Sequence, residues 1–190
     1  MIVLASASPR RRELLKRIVK DYKVTTSDIN EEESYNLPPL EAVLDIAKRK
    51  GLNVIDKYPN DIVISADTIV VIDSKIIGKP IDKEDAKRIL KLLSNREHEV
   101  ITAYCLFKGG KMIENYVSSK VLFYELSDEL IDKYIATGSP LDKAGAYGVQ
   151  DNDYYPIIKN IVGSIDNVVG FPVKEIKEAI DKLLWFTISN

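Results

Sequence analysis

Residues 61–73 read DIVISADTIVVID, and this run decides the fold. Ile62, Val63, Ile64, Ile69, Val70, Val71 and Ile72 are β-branched. Such side chains are stiff about χ1 and pack well on a pleated surface, so the run predicts a strand. It lacks strict polar–apolar alternation. An apolar run of that kind is the pattern of a strand covered on both faces, in the middle of a sheet. One residue breaks it. Asp67 is disfavoured in strands, and an unpaired buried carboxylate is costly. Asp67 is therefore expected at a strand end or bulge facing a cleft, opposite a metal or a cation. The competing reading holds it by local backbone or Thr68 hydrogen bonds.

Outward from this strand, helical and extended patterns interleave. Ile2–Ala5 reads as a short buried strand. Ser8 suits a helix N-cap and Pro9 the first helical position, with the helix running to about Lys20. Residues 22–27 read as a strand and 28–38 as an acidic loop. A second helix covers about 40–50 and stops at Gly51, a natural residue beyond a helix end. Asp73-Ser74 turns into a short strand ending before Gly78-Lys79-Pro80. Asp82 caps a helix over 83–94. Strands over 98–108 and 112–125 meet at Gly109-Gly110, a hairpin signal. Ser127 caps a helix over 128–136, residues 137–153 are loop-like, and 155–169 carry two strands about Gly163. A last amphipathic helix spans 172–185, anchored by Trp185. With no repeat and no linker, this is one α/β unit across residues 1–190.

Composition narrows the chemistry. Lys and Arg number 27 against 29 Asp and Glu, a net charge of −2, which argues against non-specific nucleic-acid binding. One Cys excludes an internal disulfide or a Cys-based zinc site, and one His excludes a His cluster. No G-x-S-x-G motif accompanies that His. No apolar run approaches the ~20 residues of a membrane span. The opening MIVLASASPRRR places its charges after its apolar residues, the reverse of a secretory signal, so a cytoplasmic protein is expected.

Three further places break local rules. Arg10, Arg11 and Arg12 occupy the first turn of a helix, where the dipole disfavours cations. An anion would resolve the conflict, and Ser6, Ser8 and the guanidinium forks would hold a phosphate. The plain alternative sends the arginines to solvent or to surface carboxylates. Lys50 lies beside the apolar stripe of the second helix, either reaching a ligand or snorkelling to water. Lys79 is similarly open. The loop from Leu141 to Gln150 combines small residues with two glycines, which permit close backbone approach to a ligand or make an ordinary surface loop. Glu31–Glu33 reads as a solvated run that could help bind a divalent cation. His98 has no evident partner, and Cys105 reads as a small core residue.

Ser6-Ala7-Ser8-Pro9-Arg10-Arg11, Ala66-Asp67-Thr68, Gly78-Lys79-Pro80 and Asp142-Lys143-Ala144-Gly145-Ala146-Tyr147-Gly148-Val149-Gln150 occur in the order found in the Maf nucleoside triphosphate pyrophosphatases, and the chain resembles that family from about residue 2 to 180. The resemblance implies a mixed sheet with flanking helices, two lobes around a central cleft, as in inosine-triphosphate pyrophosphatases. It implies hydrolysis of a nucleoside triphosphate to the monophosphate and pyrophosphate. The Tyr147–Gln150 end resembles the subgroup acting on dTTP and UTP. By position Asp67 matches the catalytic acidic residue. Arg10, Thr68 and Gln150 match specificity positions, and Glu31, Lys50 and Lys79 other residues of the cleft. Together these imply a Mg²⁺- or Mn²⁺-assisted site with Glu31 and Asp67 as metal ligands. Ser6, Ser8, Arg10 and Arg11 would hold phosphate. The family leaves room for a homodimer, and no membrane or stable nucleic-acid partner is expected. A non-catalytic nucleotide-binding regulator of cell division is the alternative, and a phosphatase releasing only the terminal phosphate is another. The chain departs from the family where Asp151-Asn152-Asp153-Tyr154-Tyr155-Pro156 replaces a Gly-rich stretch, and where Gly51 stands at a common alanine position.

Overall fold

A computed structural model describes residues 1–188, with side chains to residue 185. Seven strands are β1 (Ile2–Ala5), β2 (Tyr22–Thr25), β3 (Ile62–Ile72), β4 (Lys75–Ile77), β5 (Glu97–Lys108), β6 (Lys111–Phe123) and β7 (Ile158–Val162). Among the described residues six α-helices are α1 (Pro9–Leu15), α2 (Pro39–Ile55), α3 (Lys83–Leu93), α4 (Asp128–Ala136), α5 (Ile165–Val169) and α6 (Val173–Ile188). The sheet order is β2-β1-β3-β5-β6-β7, with β4 beside β3. β1 runs parallel to both β2 and β3, while β3–β4 and β6–β7 are antiparallel. The fold is thus a mixed sheet with helices, and β3 lies between two neighbours as its apolar run requires.

The chain packs as two compact units. The first contains residues 1–67, 102–117 and the chain from Gly170 on. In it Val3 and Leu4 of β1, Ile46 and Ala47 of α2, and Ile64 of β3 are fully buried. The second contains residues 68–101 and 118–169. Its core joins Leu90 and Leu93 of α3, Phe123 of β6 and Tyr134 of α4.

Local signals place most ends. Ser8, Asp82 and Ser127 each cap a helix, accepting from the amides of Arg11, Asp85 and Leu130. Gly109 and Gly110 take φ +54° and +75°, the left-handed pair that a two-residue hairpin needs.

Four expectations are corrected. α1 ends at Leu15, not Lys20, and turns through Lys16–Val19 toward β2, where the Tyr22 hydroxyl donates to Arg12 O at 3.0 Å. α2 does not stop at Gly51 but continues to Ile55. A Cβ at Gly51 would stand 2.1 Å from a Phe107 ring carbon, so this glycine serves close packing and does not terminate the helix. Only one strand lies in 155–169. After Gly163, Ser164 Oγ accepts from Asn167 N at 3.1 Å and starts α5. Trp185 is 65% exposed, so burial of its indole does not anchor α6.

Candidate active site

The close approach of α2 to β3 builds the site. Ser65 and Asp67 lie two residues apart on β3 and so share a face. Ala47, Lys50 and Gly51 share a face of α2 at helical spacing. Ser65 Oγ donates to Ala47 O at 2.6 Å, and the missing side chain of Gly51 leaves room for Ser65 and Phe107. One turn along this seam, Lys50 Nζ meets Asp67 Oδ1 at 2.7 Å. The same ammonium meets Glu31 Oε1 at 2.7 Å. Both Lys50 and Asp67 are buried, at 9% and 6% exposure. Asp67 therefore has the cationic partner the sequence demands, though it sits in mid-strand. Lys50 does not snorkel. It is a further helical turn from the end of α2, and its ammonium turns inward to the two carboxylates.

Arg11 adds a second cation in the same unit. Its Nη1 donates to Ala66 O at 2.8 Å and to Ser6 Oγ at 3.3 Å, and its Nε donates to Gly170 O at 2.9 Å. The guanidinium thus ties the β1–α1 loop to the residue before Asp67 and to the start of the α6 segment. Burial pushes the Arg11 pKa down, while Asp67 and then Glu31 favour its charge and Arg10 opposes it. Ser6 Oγ also accepts from Ser8 N at 3.2 Å, and Ser8 Oγ accepts from Arg11 N at 3.4 Å. Arg10 is half-buried in the first turn. Tyr35, unremarked by sequence reasoning, belongs here too. Partial burial raises its phenol pKa, and the charges of Glu31 and Asp67 raise it further.

The structure places the remaining expected residues in the second unit. Thr68 follows Asp67 on β3 and is half-buried, whereas Lys79 and Gln150 are exposed. The loop over residues 141–150 is fastened internally by hydrogen bonds. Gly145 has φ +72°, and its amide donates to Gly78 O at 3.1 Å, which ties this loop to the Gly78-Lys79-Pro80 turn. Lys143 is buried, and its Nζ reaches Ser139 O at 2.5 Å, Ser139 Oγ at 2.9 Å and Asp142 Oδ1 at 2.8 Å. Three donors thus have three acceptors. Asp151 Oδ2 accepts from Tyr134 and Ser139 hydroxyls, each at 2.7 Å. The segment that departs from the family pattern is therefore built into the loop: Asn152 Oδ1 accepts from the amides of Ile157 and Ile158 at 2.9 and 2.7 Å and leads the chain into β7. His98, unpartnered in sequence, bonds the Tyr147 hydroxyl through Nε2 at 2.7 Å.

Glu31 and Asp67 offer only hard oxygen donors and converge on one cationic point, the Lys50 ammonium. Among the described residues no group of three His, Cys, Asp or Glu forms a metal cage. Two carboxylates suit Mg²⁺ or Mn²⁺ only when phosphate oxygens and water complete the shell, which is how Mg²⁺ is commonly held. The residues fit a metal that arrives with a polyphosphate.

The solved Staphylococcus aureus Ham1 protein shares the fold, with a TM-score of 0.55 over 95% of this chain and 98% of that one, at 12% identity. A dTTP/UTP pyrophosphatase of Pyrococcus furiosus is 46% identical, covering 95% of this chain and 94% of its own. One from Thermococcus onnurineus is 50% identical, covering 92% of this chain and 93% of its own. The sequence profile described as Maf-like protein matches residues 1–183. With that match and relatives this similar along nearly their whole lengths, the chain belongs to the Maf family.

Proposed function

We propose that this chain hydrolyses a nucleoside triphosphate, dTTP, UTP or a modified pyrimidine nucleotide, to the monophosphate and pyrophosphate. The observation that carries this reading is the buried Asp67 carboxylate, shared with Glu31 around Lys50 and within the field of Arg11. The names of the relatives support the substrate class.

A water oxygen attacks the α phosphorus, the bond from that phosphorus to the bridging oxygen breaks, and pyrophosphate leaves. Asp67 orients this water and takes its proton. Lys50 and Lys79 offset charge developing on the leaving group. Arg10 and Arg11 hold phosphate oxygens, helped by Ser6 and Ser8. Both hydroxyls accept from the main chain or Arg11, so each keeps its proton to donate to an anion. The seven-residue α1 contributes a short dipole, so the guanidinium groups carry most of this grip. Thr68 and Gln150 read the base, since a glutamine amide both donates to and accepts from a pyrimidine edge. Mg²⁺ or Mn²⁺ held by Glu31 and Asp67 would supply charge neutralisation on the polyphosphate.

The test is a panel of standard and modified nucleoside triphosphates with Mg²⁺ or Mn²⁺, analysed for products. Monophosphate and pyrophosphate at multiple turnovers are expected. Orthophosphate would identify a terminal phosphatase, and stoichiometric binding without turnover a regulator. Asp67→Asn should lower kcat by about 10²–10⁴-fold. Near-normal pyrophosphate release by that variant would remove Asp67 from the chemistry.

A further inference from the structure

The segment that carries Glu31 is fastened to α2 by a stripe of three polar side chains spaced four residues apart: Asp45, Arg49 and Asn53. That spacing puts them on one face of the helix, next to Lys50. Asn53 grips the main chain of Asp28 twice, accepting its amide at 3.0 Å and donating to its carbonyl at 3.3 Å. Arg49 forks. Nη2 meets Glu33 Oε2 at 2.5 Å, and Nη1 donates to Ser34 Oγ at 3.0 Å. The buried Ser34 hydroxyl donates to Asp45 Oδ2 at 2.7 Å. Asn30 Oδ1 accepts from Glu32 N at 3.2 Å and shapes the turn Glu31–Ser34 itself. The segment is therefore held on both sides of Glu31 by directional polar contacts.

We propose that Asp45, Arg49 and Asn53 are positioning residues that hold Glu31 at the Lys50 ammonium without touching substrate. This rests on the reading of Glu31 as part of the active site. Glu31 stands on a single tight turn, so its carboxylate is placed by whatever fixes the turn. Arg49 does this by bridging two residues of the turn, Glu33 and Ser34, and a lysine could not reproduce that planar fork. A displaced turn would leave Lys50 with Asp67 alone and remove one of the two carboxylates that converge on the cation.

Two measurements on the full chain test this. Hydrogen exchange of residues 28–35 should quicken about tenfold in Arg49→Met and in Asn53→Ala while β3 is unchanged, and Arg49→Lys should fall between. In pyrophosphate release, Arg49→Met should lower kcat roughly tenfold alone and cause no further loss in a Glu31→Gln background, because both changes remove one function. Unchanged exchange in both variants, or kcat losses that multiply in the double variant, would overturn the proposal. Should the unaltered protein release no pyrophosphate, the functional reading fails, and the exchange measurement alone decides whether the clamp exists.

Discussion

Lys50 is the residue on which the first unit's polar interior turns. Its single positive charge faces two carboxylates at once, and the side chains of Lys50 and Asp67 are only 11% and 9% exposed. Removing one partner of a buried pair leaves a charge without compensation, which costs more than the pair contributes. Lys50→Met should therefore destabilise by roughly 3 kcal/mol. Asp67→Asn should cost clearly less, because Glu31 still meets the ammonium. Urea unfolding midpoints of the two variants decide the order, and a reversed order would show that Lys50 is not the hub. The presence of a cation opposite Asp67 was legible from the cost of a carboxylate in an apolar strand. Which cation was not, because the pattern favours reading Lys50 as a dipole-complementing lysine in the last turn of a helix. That reading failed with the helix boundary, since α2 runs on to Ile55.

At the scale of elements, capping and turn chemistry were readable because they act over a few residues. Ser8, Asp82 and Ser127 cap as their positions suggest, and the Gly109-Gly110 turn joins β5 to β6. Gly51 misled for the opposite reason. A glycine near the end of an apolar stripe usually terminates a helix, yet here it lies where Phe107 and Ser65 press against α2. Gly51→Ala gives the test. In an exposed helix this change stabilises by about 1 kcal/mol. Here the added carbon meets a ring carbon at 2.1 Å, so destabilisation by roughly 2 kcal/mol is expected, with pyrophosphate release falling as the α2–β3 seam opens. Thermal and urea unfolding measure the first effect. A stabilised Gly51→Ala variant would show that the seam is loose. The second strand expected after Gly163 failed in a related way. Its apolar residues satisfy a short helix as readily as a strand, and the Ser164 cap decides between them.

Across the whole molecule, acid stability should carry the signature of one buried imidazole. Burial lowers the His98 pKa from 6.5 to about 4. Below pH 6.5 the unfolded chain binds a proton that the folded chain refuses until about pH 4, so stability present at neutral pH is lost as pH falls through this window. The full effect is roughly 3 kcal/mol. His98→Gln keeps a polar partner for the Tyr147 hydroxyl but cannot titrate. The drop in unfolding free energy between pH 7 and 4.5 should be smaller in that variant, and an equal drop would show that His98 is not the titrating group.

By itself, the sequence determined the kind of fold, the order of most of its elements and the family to which the chain belongs. These follow from side-chain chemistry and from motifs in a set order, both of which are properties of the chain read in one dimension. Only the tertiary structure decided that α2 crosses Gly51, that Lys50 joins Asp67 to Glu31, that Arg49 and Asn53 pin the acidic turn, and that Tyr147 answers His98. Each of these depends on a second segment many residues away approaching within a few ångströms, and packing free energy summed over such approaches overrides what any short stretch prefers.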